Sequence, residues 1–219
     1  GWSGAAVAGD LPAPDMAVHA ARRAMERSRH SPSDLAIHFH TSFFDQGPEG
    51  WSSQHYILRH ITDRDIPSFY VWQACNGLVG SIQLAASHLL AAPRSHAALL
   101  TGADNAGTPG YNRWNFGIQN GVLGDAASAL VLSRRGGFAQ LLSITSASTA
   151  EVEQQYRGDE PLFPPSLTVG RRMDLKRRFS TFGGMEETVT QVVQRQGELR
   201  THLALKAVAE ANLDIRDIT

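Results

Sequence analysis

The chain has 219 residues, of which 42% are apolar and 19% charged; it can bury a core and is not disordered by composition. Twenty Lys and Arg against 21 Asp and Glu give a net charge of −1, which argues against a dedicated nucleic-acid binder. The single cysteine excludes an intrachain disulfide and points to a reducing, cytoplasmic compartment, while no run reaches the ~18 apolar residues of a membrane helix, so no membrane partner is expected.

Residues 14–29 place Met16, Ala17, Ala20, Ala21 and Met25 at helical spacing, with an acidic Asp15 early and arginines between them. A turn at 31–34 leads to an alternating strand over 35–40. Gly47, Pro48 and Gly50 break the chain before a helix over 52–61. Aromatic and β-branched residues over 68–72 read as a buried strand. The apolar run of Leu78, Val79, Ile82, Ala85, Ala86, Leu89 and Leu90 reads as a helix buried nearly all round. A strand over 97–102 completes a β-α-β-α-β order, which implies parallel strands in an α/β sheet. Residues 104–121 read as loop. The segments 126–133 and 138–145 flank Arg134, Arg135, Gly136 and Gly137 and predict a β-hairpin. Residues 157–184 read as a long loop or cap, and 185–212 as a final helix with Val189, Val192, Val193, Leu199, Leu203 and Ala207 on one stripe.

Cys75 is the sharpest chemical feature. It stands where a strand hands over to an apolar helix, and the N-terminus of a helix presents free N–H groups and a partial positive charge. A thiol in such a place is stabilised as the thiolate and is a nucleophile. Gly77 and Gly80 would let the helix pack closely. The plainer reading of the residue is a small buried hydrophobe.

The segment Gln73, Ala74, Cys75, Asn76, Gly77, Leu78, Val79, Gly80 resembles the active-site Ala-Cys-x-Gly stretch of β-ketoacyl-acyl-carrier-protein synthase III and its acyltransferase relatives in the thiolase superfamily. Leu123, Gly124, Asp125, Ala126, Ala127, Ser128 and Ala129 resemble that family's Gly-Asp-Gly-Ala-x-Ala strand, with Ala126 in place of the second Gly. The order of elements matches from about Asp15 to Thr219. The resemblance implies a thiolase-like α/β fold: a mixed, mostly parallel sheet covered by helices, with the nucleophile at the N-terminus of a buried central helix. It implies an N-terminal half-domain over 1–150, a capping region over 151–184, and the start of a C-terminal half-domain over 185–219, the chain being an interior section of a longer enzyme.

The resemblance also implies a mechanism. An acyl group passes from a phosphopantetheine thioester, on acyl carrier protein or coenzyme A, to Cys75. It then passes to a malonyl thioester in condensing members or to an alcohol or amine in acyltransferase members, in fatty-acid-like or polyketide metabolism. No bound cofactor is implied. Trp51 matches, one residue offset, an aromatic that lines the partner's acyl pocket in a homodimer, or it packs at a helix start. Phe182, Gly183 and Gly184 resemble the segment lining the pantetheine tunnel. The family's catalytic His and Asn have no counterpart among these residues, and the alternative from another class is a non-catalytic scaffold for dimerisation and carrier-protein docking.

The remaining polar residues divide more evenly. The basic run containing Arg171, Arg172, Lys176 and Arg177 is either a solvated face or a contact for the phosphates of coenzyme A or an acidic carrier protein. His38 and His40 share one strand face at a spacing compatible with metal binding, but no third ligand is evident and no metal is expected. Asp125 reads as a structural acceptor for buried backbone.

Overall fold

The computed structural model describes residues 4–92, 95–116, 121–182 and 186–218. In chain order the elements are α1 (Ala13–Ser28), β1 (Leu35–Thr41), α2 (Ser53–Arg59), β2 (Ser68–Tyr70), α3 (Gly77–Ala91), β3 (Ala97–Asp104), β4 (Ala126–Ser133), α4 (Gln154–Arg157), α5 (Leu175–Phe182) and α6 (Glu186–Glu210). They fall into two compact units. One comprises residues 1–107 and 124–140, the other 108–123 and 141–219.

The first unit is a three-layer α/β sandwich. Its sheet has the order β2-β1-β3-β4; β1 pairs parallel with both β2 and β3, and β4 runs antiparallel to β3 from Ala126 opposite Asp104 to Ser133 opposite Ala97. One sheet face packs Ile37, Phe39, Ala98 and Leu100 against Ala85 and Leu89 of α3. The other packs Leu35, Ala97 and Leu99 against Ala21 and Met25 of α1, and Ala103 against Ala13, Ala17, Val18 and Ile57. Strands covered on both faces are apolar throughout, which is why β3 reads as a continuous apolar run. Truncating fully buried Leu100 to Ala would cost about 2–5 kcal/mol.

α3 turns Gly77, Ser81, Ala85 and Leu89 to the sheet, one residue per turn and mostly small. Its apolar composition had predicted burial all round. Instead Val79, Leu84 and Leu90 are exposed, because the sheet covers only one side of the helix. β2 likewise forms as an edge strand three residues long, with Phe69 half-exposed, rather than a buried strand over 68–72.

The predicted hairpin does not form. β4 is its first arm, but 138–145 contains no strand. Past β4 the Arg134 N–H donates to the His96 carbonyl, and its guanidinium donates to the Leu89 carbonyl, so the chain continues along β3 and does not fold back on β4. Ser143 and Thr145 instead donate their hydroxyls to the carbonyls of Ala207 and Leu203, which lays that segment along α6 in the second unit. The stripe predicted for the last helix survives in part: Val192, Leu199, Leu203 and Ala207 are half-buried, and Val193 is exposed. The side chain of Val189 lies outside the described residues.

His38 and His40 are fully buried on the α1 side of β1. Both rings meet one hydroxyl: His38 Nε2 and His40 Nδ1 each lie 2.9 Å from Thr101 Oγ1, and His38 Nδ1 lies 2.8 Å from Ser68 Oγ. Among the described residues no group of three or more His, Cys, Asp or Glu could hold a metal ion. Burial lowers the two histidines from 6.5 to about 3 and about 4, so both are neutral in the folded chain. An unfolded chain binds protons at these sites below pH 6.5 while the folded chain does not. The stability they contribute is therefore present above pH 6.5 and is lost as pH falls toward 4. Unfolding free energy by urea titration should drop between pH 6.5 and 4.5 with a slope from this pair of up to about 2.7 kcal/mol per pH unit. A flat profile across that window would refute the neutral buried pair.

Candidate functional site

β1, β2 and β3 are mutually parallel, so their carboxyl ends share one edge of the sheet, the end at which open α/β folds place ligands. Three segments leave there: 42–46 after β1, 71–76 after β2 and 105–107 after β3. Cys75 is on the second.

The segment carrying Cys75 is bent sharply. The Val71 N–H still bonds the His40 carbonyl at 2.8 Å, and the chain then leaves the sheet. Ala74 adopts φ 46°, a left-handed conformation that costs an L-residue roughly 1–2 kcal/mol. Ala74–Asn76 makes a single 3-10 turn, and α3 begins at Gly77. Cys75 is exposed at the tip of this turn, so the plainer reading of a buried hydrophobe does not hold. The Asn76 side chain does not cap α3; its Nδ2 donates to Gln73 Oε1 at 3.3 Å. Among the described residues no side chain caps α3; the Asn76 and Gly77 N–H groups go instead to the Gln73 and Ala74 carbonyls of the 3-10 turn that leads into it.

The close approach of α3 has a specific cause. A Cβ on Gly77 would overlap the Thr41 side chain, and one on Gly80 would overlap the Gln73 carboxamide. Gly77 therefore lets the helix pack closely as expected, whereas at Gly80 the neighbour is the movable end of the exposed Gln73 side chain.

Carboxylates lace the neighbouring loops. Asp104, the last residue of β3, accepts the Phe43 N–H at 2.9 Å, the Phe44 N–H at 3.3 Å and Gln46 Nε2 at 3.3 Å. Burial raises its pKa and these donors partly offset the rise. Asp125 accepts the N–H groups of Ala8 and Ala106, each at 2.8 Å, which is the structural role expected of it. Ser42 Oγ lies 2.5 Å from the Tyr70 hydroxyl, and Trp72 Nε1 donates to the Phe43 carbonyl at 3.4 Å. Asp104, Thr41 and the Ala74 backbone were not singled out from sequence. The available signal for Asp104 was a lone carboxylate closing an apolar strand.

Trp51, also in the first unit, stands just before α2, 42% exposed, with its ring edge-on to Tyr56 at 5.4 Å and against Gly47. It thus packs at a helix start within this chain while keeping part of its ring exposed.

The second unit carries the other candidates. Phe182 ends α5, its ring 6.2 Å from that of Phe179; Gly183 and Gly184 lie outside the described residues. A cavity of about 450 Å³ is lined by Arg171, Arg172, Arg177 and Arg178 together with Asp159 and Glu160. The Arg177 guanidinium bonds Asp159 at 2.9 Å and also Glu160, and Arg171 donates to the Leu167 carbonyl. Among the described residues Arg172 and Lys176 form no ion pair.

No protein-family model and no curated protein matches the chain. Among solved structures, the acyltransferase ChlB3 is 39% identical over 99% of this chain and 63% of that one, with a TM-score of 0.90. The 3-oxoacyl-[acyl-carrier-protein] synthase III from Aquifex aeolicus is 16% identical over 95% of this chain and 59% of that one, with a TM-score of 0.65, a likeness of fold alone. The chain thus spans less than two thirds of the length of both.

The packing of Gly77 on Thr41 makes a direct prediction. Gly77→Ala should lower unfolding free energy by about 1–3 kcal/mol, measured by chemical denaturation. Adding Thr41→Ala, which removes the hydroxyl that the new methyl meets, should restore part of the loss.

The resemblance carried by the Cys75 and Asp125 segments is matched by the architecture: the chain has the thiolase-like fold shared by 3-oxoacyl-acyl-carrier-protein synthase III and its acyltransferase relatives.

Proposed function

We propose that the chain is the nucleophile-bearing part of a thiolase-type acyltransferase or condensing enzyme that carries its acyl group on Cys75. The observation that carries this reading is the exposed thiol at the strained strand-to-helix turn, before an uncapped helix, in a chain 39% identical to the acyltransferase ChlB3. In the first step the Cys75 thiolate attacks the carbonyl carbon of an acyl thioester. The carbon–sulfur bond to phosphopantetheine breaks, and the departing thiolate takes up the proton that Cys75 gave up. In the second step an alcohol or amine attacks the acyl-enzyme and its proton passes to the departing Cys75 sulfur, or a malonyl thioester loses CO2, its carbanion attacks, and the released Cys75 thiolate takes a proton from water. The backbone N–H of Cys75 is one donor to the oxyanion in this scheme. The donor is acyl carrier protein or coenzyme A in fatty-acid-like or polyketide metabolism; within the basic run of the second unit, Arg172 and Lys176 are cations with no ion pair among the described residues.

Mass spectrometry of the full-length protein with a labelled acyl thioester should show one acyl group on the peptide containing Cys75, absent in Cys75→Ala. A full-length protein that stays unmodified under saturating thioester sinks the proposal and favours a non-catalytic scaffold.

The same reading includes a homodimer. Among the described residues β2 has no strand on its outer side, Phe69 and Trp72 are 51% and 71% exposed, and α3 leaves Val79 and Leu90 bare about three turns apart. Val79→Glu with Leu90→Glu should convert a dimer to monomer in sedimentation analysis while preserving the far-UV spectrum. An unchanged dimer would remove α3 from the interface.

A further inference from the structure

The Trp72 side chain is fixed only lightly by packing. Trp72, three residues before the thiol, is 71% exposed, so burial contributes little to holding it. Two hydrogen bonds tie 70–72 to the loop that leaves β1: the Tyr70 hydroxyl to Ser42 Oγ, and Trp72 Nε1 to the Phe43 carbonyl. That loop is held in turn from β3. Asp104 takes the Phe43 N–H through both carboxylate oxygens, at 2.9 and 3.0 Å, and also takes Phe44 and Gln46. Asn105 adds a weaker tie from its N–H to Gln46 Oε1 at 3.4 Å.

We propose that Asp104 is a positioning residue for Cys75, acting through the 43–46 loop and the Trp72 indole. An ionised carboxylate is an acceptor only, with room for several donors at once. It is therefore suited to gather two adjacent backbone N–H groups and a carboxamide from one loop. The peptide group between Phe43 and Phe44 gives its N–H to Asp104 and its carbonyl to Trp72, and the peptide group before it gives the Phe43 N–H to Asp104. Asp104→Asn keeps the shape, but with its one oxygen on the loop's donors it puts an NH2 group where Oδ2 stands 3.0 Å from the Phe43 N–H, so that donor meets donor at Phe43. The consequence for acyl transfer rests on the function proposed above; the effect on the thiol itself does not.

The test is a double-mutant cycle of Asp104→Asn and Trp72→Phe in the full-length protein. The first readout is the rate of Cys75 alkylation by iodoacetamide, followed on the Cys75 peptide at a temperature well below melting. Each single variant should slow alkylation by about fivefold, the worth of one net hydrogen bond, and the double variant should slow it no more than the slower single one. Trp72→Phe should leave the melting temperature unchanged. Multiplying effects, or an Asp104→Asn rate equal to the parent's, would overturn the proposal. The second readout is acyl-enzyme formation, where kcat should fall with KM within about twofold. If alkylation responds as stated and no acyl-enzyme forms in any variant, the failure belongs to the acyl-transfer reading.

Discussion

No side chain fits between the first turn of α3 and the end of β1. That steric limit governs the organisation of the first unit. Gly77 lies against Thr41, and the stripe that follows it, Ser81, Ala85 and Leu89, lets the helix settle on the sheet. Because the helix starts so close to the strand, the chain arriving from β2 must turn within a few residues, and Ala74 absorbs the turn in a conformation that its methyl group disfavours. Cys75 sits at the apex of that bend. Its exposure is thus a product of close packing directly beneath it, and the surrounding structure must supply the energy that keeps the bend.

The helices α1, α2, α3 and α6 and the core strands were legible in the sequence because periodicity and composition agreed there. α1 shows an early proline, Asp15 in its first turn and a buried row at Ala17, Ala21 and Met25. The position of Cys75 was legible because a strand-forming run and a helix-forming run meet around it. The second hairpin arm was misread for a definite reason. Residues 138–145 have the β-branched and small polar character of a strand, but the sequence does not say what their hydroxyls bond, and Ser143 and Thr145 bond helix carbonyls. Burial of β2 and α3 was overestimated because apolar composition measures what a segment can bury, and the described neighbours cover only part of it. Asp104 was invisible for another reason. Its shortest bonds are to the Phe43 backbone N–H some sixty positions away, a group that carries no residue identity for a sequence reading to recognise.

The basic run illustrates the gap between charge count and available charge. Arg177 is committed to Asp159 and Glu160, and Arg171 reaches back to a carbonyl of its own loop. Such exposed pairs contribute little stability, on the order of 0–1 kcal/mol, but they determine which cations remain for an incoming anion. The cavity walls are therefore mixed in sign, although the sequence of the run is almost wholly basic.

The buried histidines limit the direction of their hydrogen bonds. His40 Nε2 has no partner among the described residues, and a buried bare acceptor is cheaper to leave than a buried N–H. That assigns the His40 proton to Nδ1, which donates to Thr101. The Thr101 proton then has two acceptors within reach, His38 Nε2 at 2.9 Å and the Phe39 carbonyl at 3.4 Å. If it goes to His38, the His38 proton sits on Nδ1 and points at Ser68, whose hydroxyl reaches the Gln54 carbonyl at 3.4 Å; if it goes to Phe39, His38 donates from Nε2 and accepts from Ser68. The tautomer of His38 is thus tied to the rotation of two hydroxyl groups on the neighbouring strands.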